Sequence, residues 1–116
     1  MNMLLINALL QKINFALSNY DDHEIKNIYH DCITNSLYIV VFYEQEIEEE
    51  HDSYIDVGYF VYSYIKDETS NYHLKIDNSF ENCDSVEDYI SQEFSQEKYV
   101  EVIINQDWIK ILRMLK

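Results

Sequence analysis

The chain contains no proline and a single glycine, Gly58. Proline and glycine are the residues that most often mark loops and linkers, so nothing in the sequence indicates a flexible linker or a second domain. We therefore expect a single domain over residues 1–116, long enough to build one hydrophobic core. The scarcity of glycine also excludes the Gly-rich loops with which many nucleotide-using enzymes bind phosphate groups.

Basic residues are scarce too, with 8 Lys and Arg against 22 Asp and Glu and a formal net charge of -14. None lies between Lys26 and Lys66, and three lie in the last seven positions, at Lys110, Arg113 and Lys116. Nucleic acids and anionic membranes are bound through cations on the protein, so we expect neither as a direct ligand. A positively charged protein is the kind of partner that such an acidic chain suits.

Cys32 and Cys83 are the only cysteines. Two cysteines do not make a disulfide framework, and neither has the spacing of a metal ligand, so we expect no metal and no cofactor. The N-terminal apolar run is interrupted by Asn2, Asn7 and Gln11, which favours neither a signal peptide nor a membrane span. These features predict a cytoplasmic protein whose thiols are reduced.

The spacing of apolar residues predicts the order helix, three or four strands, helix, strand, helix. The first helix covers residues 3–19, the second starts with Asp84 as its N-cap, and a final helix after Asn105 or Asp107 buries Trp108. The expected strands cover residues 25–33, 37–43, 54–65, 72–77 and 99–104. Consecutive strands with short turns favour an antiparallel meander of four to five strands, with the helices covering one side. The predicted fold class is α+β.

The segment Glu44–Asp56 is the most acidic part of the chain and contains no Lys or Arg. Its carboxylates are Glu44, Glu46, Glu48, Glu49, Glu50, Asp52 and Asp56. It is either a solvated hairpin loop or a negative patch that occupies the cationic cleft of a partner. Partner binding is favoured because the run leads into an aromatic strand. Calcium-binding loops have a mid-loop glycine and regularly spaced oxygens, which this run lacks.

Tyrosine is abundant, with 11 residues in the chain. Tyr54, Tyr62 and Tyr64 share one face of a predicted strand with Asp56. If the alternate aliphatic residues face the helices, the tyrosine face points to solvent. Tyrosine is enriched at protein interfaces, although its strand propensity also explains its presence. The predicted partner-binding residues are these three tyrosines and the seven carboxylates.

No arrangement of residues in the sequence predicts an enzyme. The histidines are isolated from one another, at His23, His30, His51 and His73. In a strand, Asp31 points away from its neighbours His30 and Cys32, so a buried cysteine beside a surface histidine is expected there instead of a nucleophile site. The many carboxylates lie in one expected loop, which gives no reason to expect a concave hydrolytic site.

In its small size, acidity and lack of catalytic motifs, the chain resembles the immunity proteins that accompany bacterial toxins. The resemblance covers composition and size. It implies a small intracellular inhibitor that binds and blocks a basic, nucleic-acid-cleaving toxin. Two alternatives stay open. The first is a phage-encoded DNA mimic that inhibits a defence nuclease such as a CRISPR effector, with its acids spread over Glu44–Asp56 and Asp77–Glu97. The second is a homodimeric scaffold protein assembled through the N-terminal helix.

Overall fold

The structure is a computed structural model that describes residues 3–102. Its elements are α1 (Met3–Ala16), β1 (Asp22–Asp31), β2 (Leu37–Glu49), β3 (Asp52–Lys66), β4 (Tyr72–Phe80), α2 (Cys83–Glu93) and β5 (Tyr99–Val102). The strands form one sheet in the order β4-β3-β2-β1-β5, and all neighbours are antiparallel. The predicted α+β class and the meander of β1 to β4 are confirmed. The predicted final helix, with Trp108, lies outside the described residues.

Helix α1 packs against one face of the sheet. Its apolar residues recur at three- and four-residue steps, and Ile6, Leu9, Ile13 and Leu17 are fully or almost fully buried. They form the α1 core with sheet residues that include Ile28, Leu37, Ile39, Val41, Tyr62 and Tyr64. Phe15 lies on the outer side of the helix and is 84% exposed. Self-association through this helix stays a prediction.

The N-cap of helix α2 lies two residues before the predicted cap, Asp84. Asn82 is the N-cap, and its side chain accepts the backbone N–H of Ser85 at 2.9 Å. The assignment of the cap to Asp84 is therefore wrong, and Asp84 lies in the first turn, where a carboxylate suits the positive end of the helix dipole. Val86 and Phe94 are buried.

The two helices cover opposite faces of the sheet, so the predicted cover on one side is wrong. Val86 and Phe94 pack with Tyr29, Val40 and Val61, which lie on the face away from α1. The reason is β2, whose residues from Leu37 to Val41 are apolar on both faces and need a layer on each side. Neither helix of the described chain has the length and apolar character to cross a membrane.

Candidate partner-binding site

The β2–β3 hairpin extends beyond the strands on either side of it. The pairing of β1 with β2 ends at Asp22 and Glu44, and the pairing of β4 with β3 ends at Phe80 and Tyr59. Beyond these points β2 and β3 pair only with each other, among the residues that the structure describes. We call residues 44–57 the hairpin arm. It contains all seven carboxylates of the acidic run.

The hairpin arm is not the loop that the acidic run predicted. Glu49 pairs with Asp52, and only Glu50 and His51 form the turn between the strands. All the other carboxylates of the run lie on strands. The negative charge is therefore held by the ladder of an antiparallel ribbon, and a free loop does not carry it.

Cross-strand pairing explains how so many acids are tolerated in two strands. Glu44 lies opposite Val57, and Glu46 lies opposite Ile55. Like charges directly opposite each other destabilise a sheet, whereas these pairs place a carboxylate beside an aliphatic side chain. The Glu49–Asp52 pair at the tip is the exception, and both of its side chains are exposed to water.

Alternation along β2 distributes the carboxylates over both faces of the hairpin arm. Tyr38 and Val40 face α2, so Glu44, Glu46 and Glu48 continue on the same side, about 6.7 Å apart along the strand. The opposite face carries Glu49, Asp52 and Asp56, together with Ile47 and Tyr54. No Lys or Arg interrupts either face of the arm.

The hairpin arm also exposes large apolar side chains. Ile55 is 66% exposed, Tyr54 is 50% exposed and Val57 is 40% exposed. Exposed apolar groups rimmed by charges are typical of surfaces that bind other proteins. Tyr54 is therefore exposed as the sequence predicted, whereas Ile55 and Val57 are exposed on the opposite face of the arm.

Tyr62 and Tyr64 lie in the α1 core, so their predicted exposure to solvent is wrong. They pair with Ile39 and Leu37, and only 5% and 4% of their surfaces are exposed. Burial raises the pKa of Tyr62 to about 12, and the neighbouring Tyr20 adds to the rise. Tyr54 shares their strand face but extends past the cover of α1, so the same face is buried at one end and exposed at the other.

Asp21, immediately before β1, holds the base of the hairpin arm. Its carboxylate accepts the backbone N–H of Glu46, and its own N–H donates to the carbonyl of Glu44 at 3.0 Å. These two bonds continue the contacts of β2 past Asp22, the first residue of β1. They restrict how the arm can bend relative to the sheet.

An open cleft of about 550 Å³ lies where β4 ends beside the hairpin arm. It is lined by Tyr43, Ile55, Asp56, Val57, Ser79, Phe80 and Glu81. Burial raises the pKa of Tyr43, and the negative charges of Asp56 and Glu81 contribute to the rise. The alternation of residues did not point to Tyr43 or to the end of β4. The one available signal was Gly58, because a glycine inside a strand often marks a close approach of another group.

Each cysteine contacts a side chain close to it in the sequence. Cys32 is exposed, so the prediction of a buried cysteine is wrong. The residue lies in the turn after β1, with its Sγ 3.9 Å from His30 Nδ1. The Cys83 thiol donates to the carboxylate of Glu87 at 3.4 Å. Among residues 4–102, no group of three or more His, Cys, Asp or Glu is arranged to hold a metal ion.

Comparison of the chain with known protein families, with curated proteins and with solved structures found no match. Functional inference therefore depends on the geometry of the site. The structure brings the seven carboxylates and Tyr54 together on the hairpin arm, with Ile55 and Val57 beside them. It places Tyr62 and Tyr64 apart from them, in the core.

Proposed function

We propose that this protein is a small acidic inhibitor that binds and blocks a basic, nucleic-acid-cleaving protein toxin. The observation that supports it is the hairpin arm, which carries seven carboxylates and no Lys or Arg and projects six of these carboxylates beyond the neighbouring strands. Two strands lie about 4.8 Å apart, so the arm is a narrow ribbon of the kind that fits a groove. A cleft that binds nucleic acid is lined with cations and offers the complementary charge.

In this proposal the carboxylates and the apolar side chains of the hairpin arm have different roles. The exposed acids steer the partner and can raise its association rate by about 10 to 1,000-fold at low salt. Tyr54, Ile55 and Val57 supply the apolar area whose burial slows dissociation. Tyr62 and Tyr64 have no contact role, because they are already buried in the α1 core.

The test is affinity capture from the native host with three versions of the full chain, at low and then moderate salt. The first is the wild type, and the second reverses three charges of the arm with Glu48→Lys, Glu49→Lys and Glu50→Lys. The third is a matched control that reverses three exposed charges elsewhere, with Glu87→Lys, Asp88→Lys and Glu97→Lys. Any captured protein is then assayed for cleavage of DNA and RNA, with and without added wild-type chain.

We expect the wild type and the control to capture one basic protein, whose nuclease activity falls in proportion to the added chain. We expect the arm variant to lose at least tenfold in affinity, and the complex to weaken as salt is raised. Retained capture by the arm variant overturns the proposal. So does a captured protein that does not cleave nucleic acid.

A second candidate is a DNA mimic that inhibits a defence nuclease. The observation that favours it is the row of Glu44, Glu46 and Glu48 at regular steps along β2, on the same side of the sheet as α2. Helix α2 adds Asp84, Glu87 and Asp88 to that side. A mimic uses both sets of acids, so reversal of Glu87, Asp88 and Glu97 would then weaken capture as much as reversal on the arm.

A further inference from the structure

The outer edge of β3 has no neighbouring strand along the hairpin arm. Strand β4 ends at Phe80, opposite Tyr59, and the chain then leaves the sheet to form α2. Residues 52–57 of β3 therefore pair with β2 on one side, and no strand of the described chain lies on the other.

The direction of the backbone groups on this edge follows from the pairing. Backbone N–H and C=O groups of an antiparallel strand point alternately to its two sides. In β2, the backbone groups of Glu44 and Glu46 point away from β3, because the Glu44 carbonyl and the Glu46 N–H bond to Asp21. The backbone groups of their partners in β3, Val57 and Ile55, therefore point away from β2. The residues of β3 with outward backbone groups are Ser53, Ile55 and Val57.

This edge lacks the Lys and Pro residues that often prevent strand addition. Residues 52–57 contain neither, and their charges are those of Asp52 and Asp56, which oppose pairing with an acidic strand. Ile55 and Val57 are 66% and 40% exposed. The cleft lined by Ile55, Val57, Phe80 and Glu81 adjoins this edge where β4 ends.

Charge decides which segment suits this edge. A second copy of the chain would place another set of seven carboxylates against the first, so pairing between copies is opposed by repulsion. We propose that the edge pairs with an extended segment of the partner in which Lys or Arg alternates with aliphatic residues, and that this segment continues the sheet beyond β4. The inference rests on the proposed function and specifies how the basic partner is held. Main-chain hydrogen bonds provide affinity, and the acids select a basic strand.

The first test uses a synthetic peptide of alternating lysine and valine as the probe, with the full-length chain. We expect amide exchange to slow at least tenfold at Ser53, Ile55 and Val57 and to change little at Tyr54 and Asp56, which already pair with β2. A peptide of the same sequence with every second backbone nitrogen methylated should bind at least tenfold more weakly. Equal binding of the two peptides overturns the proposal. Absence of new protection at the three outward amides also overturns it.

The second test uses variants at Ile55 in the capture experiment. Ile55→Pro removes an outward N–H without removing a bond of the hairpin, and Ile55→Val keeps that N–H as the matched control. We expect Ile55→Pro to lose at least tenfold in capture and Ile55→Val to retain it. If Ile55→Pro retains capture and the arm charge variant loses it, strand pairing is overturned and the proposed function still stands. Capture that both retain overturns both proposals.

Discussion

Tyr43 lies directly opposite Gly58 in the β2–β3 pairing, and its side chain fills the space that a side chain at position 58 would need. A Cβ at position 58 would lie 2.6 Å from Tyr43 Oη and 2.9 Å from the carbonyl oxygen of Phe80. The Tyr43 ring is fixed there by stacking on Phe60, with 4.4 Å between the ring centroids. The only glycine of the chain thus allows Tyr43, at the base of the hairpin arm, and the backbone of Phe80, at the end of β4, to approach each other closely.

Replacement of Gly58 by Ala should destabilise the protein by about 1–3 kcal/mol, the usual cost of added volume in a packed site. The Tyr43 ring can rotate away only by losing its stacking on Phe60, and the Phe80 oxygen belongs to the backbone and cannot move without disturbing β4. Urea unfolding measures the loss. The control is Val57→Ala at the neighbouring exposed position, where we expect a smaller change. A Gly58→Ala variant as stable as the wild type would show that the close approach is not a constraint.

The parts of the fold that the sequence predicted are those with strong local patterns. The three-to-four periodicity of Ile6, Leu9 and Ile13 predicted α1, and the continuous apolar run after Leu37 predicted an interior strand. The meander followed from consecutive strands with short turns. The length of the β2–β3 hairpin could not be predicted, because glutamate has a low strand propensity and the pairing of Glu46 with Ile55 overrides it.

The site was predicted only in part, because a strand pattern does not show which face of the sheet a helix covers. Alternation showed that Tyr54, Tyr62 and Tyr64 share a face of β3, but it cannot show which face a helix covers. It also cannot show where along the strand that cover ends. The two faces of a strand are equivalent in the sequence pattern. An apolar run such as Leu37–Val41 therefore indicates two buried faces but does not assign a helix to either, and the helices were wrongly expected on one side.

Removal of the Asp21 side chain should loosen the base of the hairpin arm. In Asp21→Ala the backbone N–H of Glu46 loses its acceptor, and we expect its amide exchange to become about tenfold faster. The global free energy of unfolding should fall by about 1 kcal/mol, the typical net value of one hydrogen bond. The control is Asp22→Ala, whose carboxylate accepts only the N–H of His23 at 2.9 Å. Equal exchange at Glu46 in both variants would contradict this role of Asp21.

Stability should fall in strong alkali, and Tyr62 is one of the buried tyrosines that cause the fall. Its pKa is raised from 10.0 to about 12 in the folded chain, so the buried ring stays neutral where an unfolded one ionises. The contribution of neutral Tyr62 to the free energy of unfolding is complete below pH 10 and is lost as the pH rises from 10 to 12. For a pKa shift of this size, the total loss is at most about 2–3 kcal/mol. Unfolding by urea at several pH values measures this loss. Tyr62→Phe should lose stability less steeply in this range, and an identical slope would contradict the assignment.

Asp31 should contribute more to stability than any carboxylate of the hairpin arm, because it is 2% exposed and fully bonded. It accepts the backbone N–H groups of Ile33 at 2.9 Å and Thr34 at 3.2 Å, and Lys98 Nζ lies 3.7 Å away. Burial by itself raises the pKa of Asp31, but the bonds from Thr34 and Ile33 and the charge of Lys98 together lower it. We expect Asp31→Asn to cost about 1–3 kcal/mol, because the Asn oxygen can still accept both N–H groups but the charge that strengthens these bonds is lost.

The pH dependence and a variant at Lys98 separate the bonds of Asp31 from its ion pair. Because the folded pKa is lowered, the stabilisation is present above the unfolded value of 3.8 and is lost as the pH falls below it. Wild-type stability should therefore drop below about pH 4, and Asp31→Asn should drop less over the same range. Lys98→Met should cost about 1 kcal/mol or less, because the Lys98 amine is partly exposed and, at 3.7 Å from the Asp31 carboxylate, is too distant for a hydrogen bond. A larger loss in Lys98→Met than in Asp31→Asn would mean that the ion pair, and not the turn after β1, holds Asp31 in place.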